Sequence, residues 1–183
     1  MRVIAGRCKS LHLKSIDGIN TRPTTDRIKE TLFNMIGPVL NGCVFLDLFA
    51  GSGGIGIEAL SRGARTCYFI EKDKKAADCI RKNLTSTKLT DSGILLVSDV
   101  NKAITNFAYG LVFDFVFMDP PYHHGLERDA LSLLKSSDCI TSDTQIIVEA
   151  SLNTDFSYAE ELGFKIEKEK KYKTNKHVFL IRR

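Results

Sequence analysis

Two short segments of this chain carry residue types whose spacing could do chemistry. The first is Asp119-Pro-Pro-Tyr122, which directly follows the apolar run Phe113 to Met118. Two consecutive prolines fix φ and remove two N–H donors, so the carbonyl of Pro120, ahead of Pro121, is left as a rigid acceptor beside the Asp119 carboxylate. Two fixed acceptors match the two hydrogens of an exocyclic amino group on a nucleobase. Such an amine is a poor nucleophile because its lone pair is delocalised into the ring, and holding both N–H bonds out of plane helps to localise that pair. Tyr122 adds an aromatic face on which a splayed-out base can stack. Asp119, Pro120, Pro121 and Tyr122 are therefore the expected catalytic residues. A bare Pro-Pro turn would mean little, and it is the preceding apolar run that gives this one a place in a site.

The second segment is Asp47-Leu-Phe-Ala-Gly-Ser-Gly-Gly-Ile-Gly56, a glycine-rich turn between an expected strand and an expected helix. Glycines let the backbone approach a ligand closely, and the N–H groups of the turn bind its polar parts. Gly51, Gly53 and Gly56 alone satisfy G-x-G-x-x-G, which would equally suit a dinucleotide enzyme. Asp47 separates the two cases. A carboxylate just before the turn suits the ammonium and sulfonium of S-adenosylmethionine and would repel a pyrophosphate. Phe49, Ala50, Gly51 and Gly53 then form the expected cofactor turn. Glu71 ends the next apolar run twenty residues after Gly51, where an acid accepts hydrogen bonds from both ribose hydroxyls, and Lys72 beside it belongs to the same set. Asp99 and Val100 follow a third run, where a carboxylate and a backbone amide could read the adenine edge, although Ser98 or Asp99 would equally cap the next helix. His123-His124 has no partner of metal-ligand spacing, so these are read as loop residues and no metal site is expected.

The elements that must position these residues alternate. Residues 2–5 and 11–14 read as short strands around Gly6. Thr24 or Thr25 can cap a helix carrying Ile28, Leu32, Met35, Ile36 and Val39, which Gly37-Pro38 should end or distort. Strands are expected over Cys43 to Leu48, Thr66 to Ile70 with its end at Glu71, Ile94 to Val97, Phe113 to Met118 and Gln145 to Val148. Helices are expected over Ile55 to Arg62, after Asp73, near 100–107 and over 126–135. Nearly continuous apolar strands alternating with helices indicate a parallel sheet covered on both faces. After Gly163, Lys165 to Lys171 and His177 to Ile181 read as an antiparallel hairpin at the sheet edge, although the lysines of the first run would also keep a plain edge strand soluble.

Composition bounds the reading. The 183 residues, 43% hydrophobic and 26% charged, fit one soluble α/β domain over 1–183, with a small N-terminal β extension over 1–21 and a catalytic core over 22–183. Neither a long apolar run nor a signal-type amino terminus is present, so a cytoplasmic protein without membrane contact is expected. Five widely spaced cysteines without a C-x-x-C pair read as packed, reduced thiols. Charge is unevenly distributed: residues 1–31 carry seven basic against three acidic side chains and residues 162–183 eight against two, giving +4 and +6, while the middle carries −6. Basic ends suit nucleic-acid phosphates and an acidic centre suits a cationic cofactor.

In their order along the chain these motifs resemble those of the Rossmann-like class I methyltransferases. More narrowly the chain is similar to the bacterial RsmD family, the 16S rRNA (guanine(966)-N(2))-methyltransferases. The similarity runs over essentially the whole chain: Arg22-Pro-Thr-Thr-Asp-Arg-Ile-Lys-Glu-Thr-Leu-Phe-Asn34, Asp47-Leu-Phe-Ala-Gly-Ser-Gly53, Glu58-Ala-Leu-Ser-Arg-Gly-Ala64 and Asp119-Pro-Pro-Tyr122. The first and third of these are the more specific, since many methyltransferases share the glycine turn and many amino-group methyltransferases share D-P-P-Y. The resemblance implies a mostly parallel seven-stranded sheet and S-adenosylmethionine as cofactor. It places Arg22 and Thr24 over the methionine end of that cofactor. It implies a guanine N2 amine of 16S rRNA as substrate, met in the small ribosomal subunit or its precursor by a monomeric enzyme. RNA contacts fall to Arg7 and Lys9 at one basic end and to Lys170, Lys171 and Lys173 at the other. In the amino-terminal pair, Ile4-Ala-Gly-Arg-Cys-Lys9 is shorter than expected of the family and lacks an aromatic residue. An adenine-N6 methyltransferase acting on DNA or RNA would offer the same pocket motif. A dinucleotide-dependent oxidoreductase would leave Asp47 and D-P-P-Y unexplained, and a non-catalytic RNA-binding module would account only for the charged ends.

Overall fold

The two most continuous apolar runs form the middle of a sheet. In the computed structural model, which describes residues 1–16, 26–107 and 110–183, β1 (Val44–Leu48) and β4 (Phe115–Met118) are adjacent, parallel and buried at every position. Outward from β1 come β2 (Thr66–Glu71) and β3 (Gly93–Val97). On the other side of β4 lie β5 (Gln145–Ser151), then β7 (Asn175–Arg182), with β6 (Phe164–Lys171) outermost. The first five strands run parallel, whereas β7 is antiparallel to both β5 and β6. The carboxy-terminal hairpin thus inserts its second strand next to the parallel core and leaves its lysine-rich first strand at the edge, where every residue after Phe164 is exposed. That is where a strand with lysines and glutamates on both of its faces can stay solvated, and its charges discourage pairing with another chain.

Helices cover both faces. Helices α1 (Asp26–Ile36), α2 (Gly54–Ser61) and α3 (Lys74–Ser86) pack Leu32, Phe33, Ile57, Leu60 and Ile80 against Phe45, Phe69 and Phe117. On the other face α4 (Val100–Thr105) and α5 (Leu126–Lys135) pack Ile104, Leu131 and Leu134 against Leu46, Ile70 and Val116. Alternate residues of each strand serve alternate faces, as the pleat requires. Helix α1 ends where Gly37-Pro38 was expected to end or distort it, with Gly37 at φ 57° leading into a 3-10 turn over Gly37–Leu40. All five cysteines are buried, and none of them forms a disulfide. No helix among the described residues is long and apolar enough to cross a membrane.

Three expectations need correction. The strand pair around Gly6 shrinks to a single antiparallel bridge, Arg2 to His12. The reason lies in α2: the Glu58 carboxylate takes the N–H groups of Ile4 and Ala5 at 2.8 and 3.0 Å, so that stretch of backbone is held by a side chain instead of a ladder. Strand β3, expected to be buried, is the sheet's other edge, with Ile94 and Val97 exposed. The helix expected near 100–107 stops at Thr105. The helix-capping candidates Thr24 and Thr25 lie outside the described residues.

Candidate active site

The strand order runs one way from β1 to β2 and β3 and the other way from β4 to β5, so the sheet reverses between β1 and β4. In open α/β sheets the crevice at the carboxyl ends of the strands beside such a reversal is where ligands bind. The acids predicted from the sequence end the strands at this point. Asp47 lies on β1 opposite Phe117 of β4, Glu71 ends β2, and Asp119 follows β4 directly.

Asp47 is buried, and its Oδ2 accepts a hydrogen bond of 2.9 Å from the Gly56 N–H. Gly56 is the third residue of α2, whose N-cap, Gly53, has no side chain to offer. Asp47 therefore supplies from the preceding strand the cap that the turn lacks, and its charge meets the positive end of the helix. Burial pushes the Asp47 carboxyl up to about 7, Glu71 adds to the rise, and the Gly56 N–H opposes it. A cation brought to this position would restore the charged form.

The turn itself departs from ordinary backbone. Phe49, not a glycine, sits at φ 62°, followed by Gly51 at 55° and Gly53 at 79°. A non-glycine residue held in the left-handed region is a local strain of the kind found at ligand-binding turns. At Gly51 a Cβ would meet nothing within 4 Å, so the turn is open on that side, whereas at Gly56 it would lie 2.3 Å from the Phe69 ring. One glycine leaves room at the surface of the turn, and the other lets α2 pack on β2. The Glu71 carboxylate spans the turn, taking the Gly51 N–H at 2.8 Å on Oε2 and the Asp73 N–H at 2.8 Å on Oε1. Each oxygen keeps a further lone pair for a ligand hydroxyl.

At the third strand Asp99 caps α4 by accepting from the Asn101 N–H at 2.9 Å; it is exposed, and Val100 behind it is buried. Lys72 is exposed beside Glu71. Arg22 and Thr24 lie outside the described residues. Within D-P-P-Y, Pro120 is buried, Pro121 is exposed and Tyr122 is 36% exposed. The Asp119 carboxyl keeps part of its residue surface open but lies among buried groups. Burial first, then Glu149 and Asp47, hold it well above the usual carboxylate range.

The basic residues separate. The turn linking β6 and β7, closed by the Tyr172 N–H on the Asn175 carbonyl at 2.8 Å, lies at the catalytic end of the sheet, because Asn175 pairs with Ser151 at the carboxyl end of β5. Lys170, Lys171 and Lys173 are exposed there. Arg7 and Lys9 are also exposed, but Arg7 N–H bonds the Ser61 carbonyl at the end of α2 that precedes β2, so their turn lies at the opposite end of the sheet. The two basic patches grouped by charge alone are not brought together.

Sequence reading overlooked three residues. Glu149 directly follows an apolar run just as Asp47 and Glu71 do, and that signal could have found it. Buried His177, which touches it, and buried Asn83, which ties the amino-terminal arm to the glycine turn, carry no signal in their neighbours.

A mostly parallel sheet that reverses between β1 and β4, with an acid before a glycine turn and a reversed hairpin at its edge, is the architecture of the class I methyltransferases. The solved Escherichia coli protein yhhF superimposes with a TM-score of 0.84 at 31% identity, covering 100% of this chain and 97% of that one. The ribosomal protein L11 methylase of Lactobacillus delbrueckii subsp. bulgaricus shares the fold alone, with a TM-score of 0.71 at 16% identity over 86% of this chain and 78% of that one. The family described as Conserved hypothetical protein 95 matches residues 1–181, and the chain belongs to that family, the RsmD family. Among its relatives are proteins named ribosomal RNA small subunit methyltransferase D. That of Haemophilus influenzae is 39% identical over 153 residues, 81% of this chain and 78% of its own length. That of Escherichia coli is 36% identical over 154 residues, 83% and 75%.

Proposed function

We propose that the protein transfers a methyl group from S-adenosylmethionine to the exocyclic N2 amine of a guanine in 16S ribosomal RNA. The observation that carries this reading is the adjacency, across the sheet's reversal, of the Asp47 and glycine-turn site with the Asp119-Pro120 acceptor pair. The residues present fit the cofactor: two carboxylates flank a turn that is open at Gly51, a donor and acceptor set suited to a cation that also carries hydroxyls. Bound there, S-adenosylmethionine supplies an electrophilic methyl carbon. Asp47 balances its positive charge, Glu71 accepts from ribose hydroxyls, and Asp99 with the Val100 N–H faces the adenine. The family resemblance assigns the methionine end to Arg22 and Thr24, which lie outside the described residues. Asp119 and the Pro120 carbonyl hold the two amine hydrogens, Pro121 stiffens the turn, and Tyr122 stacks on the base.

Ribosomal RNA as the substrate is supported by the names of the relatives and by the exposed lysines at the catalytic end. The test is transfer of tritiated methyl groups to unmodified small-subunit rRNA, naked and in particles, followed by nucleoside analysis. N2-methylguanosine is expected, with transfer nearly abolished in Asp119→Ala while binding of S-adenosylhomocysteine is kept, because those hydrogen bonds strengthen as the nitrogen pyramidalises. N6-methyladenosine as the product would reassign the base.

A further inference from the structure

Beside Asp119, a set of polar side chains outside the motifs is shut away from solvent. His177 on β7 is fully buried and stands across the ladder from Glu149 on β5. Its Nε2 lies 3.1 Å from Glu149 Oε2, and its Nδ1 lies 3.1 Å from the Tyr172 hydroxyl. Asn175, two residues away on the same side of β7, donates its Nδ2 to Glu149 Oε1 at 2.5 Å. Burial, and then Glu149, push the Tyr172 phenol up to about 12, so it stays a neutral hydroxyl. With the Tyr172 hydroxyl as the donor to Nδ1, Nε2–H is left to donate to Glu149. A carboxylate this deeply buried is costly unless donors meet both oxygens, and here both are met.

The register joins this set to the site. Met118 pairs with Val148, so Asp119, the first residue past β4, comes beside Glu149, which is still within β5. The Phe117 ring, two residues before Asp119, meets the His177 ring edge-on with centroids 6.0 Å apart, which puts all of these side chains on one face. Among the described residues, the titratable groups facing Asp119 are Asp47 from β1, Glu149 from β5 and, behind Glu149, His177 from β7 and Tyr172 from the hairpin turn. Glu71 lies beyond Asp47, and Lys176, on the other face of β7, is paired with Glu169 at 3.2 Å. Asp119 thus stands between two acids.

We propose that Glu149 is a positioning residue for methyl transfer, held by Asn175 and His177 so that its charge makes the Asp119 carboxylate the acceptor of the proton that the base amine loses. The inference rests on Asp119 being the residue that binds that amine. In the step, the amine nitrogen attacks the methyl carbon with its lone pair, an N–C bond forms, and an S–C bond breaks with its electron pair left on sulfur. The nitrogen gives up one proton to Asp119, a residue with part of its surface open to solvent, and the carboxyl then passes that proton to water. An ordinary carboxylate is a weak base for this task. One flanked by other acids takes the proton more readily, since the base works best when its affinity for the proton lies near the working pH.

Glu149→Gln keeps the shape and removes the charge. In ligand-free protein carrying ¹³C-labelled aspartate, with the Asp119 carboxyl signal assigned through Asp119→Asn, the titration midpoint should fall by about 1 to 2 pH units in Glu149→Gln. Glu149→Asp, which keeps the charge, should stay nearer to wild type. In single-turnover transfer to rRNA, the acidic limb of the pH–rate profile should move down by the same interval. An unmoved Asp119 midpoint in a folded Glu149→Gln protein would overturn the inference, as would a rate lowered equally at every pH. A shifted midpoint together with wild-type protein that methylates no RNA would overturn the proposed function, while leaving the coupling of the two carboxylates established.

Discussion

Glu71 and Asp47 do two things at once, and each can be tested singly. Glu71 holds the glycine turn through the Gly51 N–H and, in the proposed function, the ribose as well. Glu71→Ala should therefore weaken S-adenosylhomocysteine binding by about 1–3 kcal/mol, roughly 5- to 150-fold in Kd. Calorimetric titration reads this directly, and an unchanged Kd would remove Glu71 from the site. Asp47 makes a pH prediction. Between the usual carboxylate range and about 7, the folded protein keeps a proton on Asp47 that the unfolded chain has released, so stability falls as pH rises through that interval and levels off above it. Asp119, also raised, adds a slope of the same sign. Asp47→Asn can still accept from Gly56 but has no proton to lose. Urea unfolding between pH 5 and 8 should show the variant losing less stability with rising pH, by a few kcal/mol at most, on the order of 1.4 kcal/mol for each pH unit by which the carboxyl is raised. Parallel stability curves would mean that Asp47 titrates normally.

At the scale of elements, the amino-terminal arm is fastened by buried side chains on the helices. Glu58 of α2 receives Lys29 Nζ at 3.3 Å and Arg62 Nε at 2.7 Å in addition to the two arm N–H groups, so one carboxylate joins α1, α2 and the arm. Gly6 passes so close to α2 that a Cβ would lie 1.9 Å from the Ser61 carbonyl oxygen, and its φ of +80° would strain any other residue as well. Further along, Asn83 of α3 donates to the Lys14 and Ser52 carbonyls at 3.0 and 2.9 Å and accepts the Lys14 N–H at 2.8 Å. It thereby links the end of the arm to the glycine turn. Asn83→Ala would take their partner from the Ser52 carbonyl and the Lys14 N–H, while the Lys14 carbonyl keeps the Cys79 thiol at 3.3 Å, and should cost about 1–3 kcal/mol in chemical denaturation, accompanied by weaker S-adenosylhomocysteine binding. If stability fell while binding held, the link would be structural only.

For the whole molecule, the distribution of charge over the two ends of the sheet is what matters for RNA. Lys170, Lys171 and Lys173 stand at the catalytic end, Arg7 and Lys9 at the other. Each phosphate that a removed lysine no longer neutralises should flatten the slope of log K against log salt by roughly 0.7 to 0.9, so replacing the three lysines with Gln should change it by about two units. The Arg7→Gln, Lys9→Gln pair should change it less. RNA affinity at several salt concentrations decides between them, and parallel lines for the triple variant would move docking away from the hairpin. The sequence by itself determined the alternation of strands and helices, the hairpin and the acids at strand ends, because apolar periodicity, proline φ and glycine turns act within a few residues of one another. Asp47, Glu71 and Asp119 were legible because each follows an apolar run directly. Long-range packing, in contrast, sets β7 between β5 and β6, brings Glu149 to His177, puts Glu58 in place of a ladder at Ile4 and Ala5, and keeps the basic ends apart. Those outcomes depend on register and on pairing between residues 26 to 54 positions apart, where packing and hydrogen-bond satisfaction across the fold select the partner and local preference carries no information.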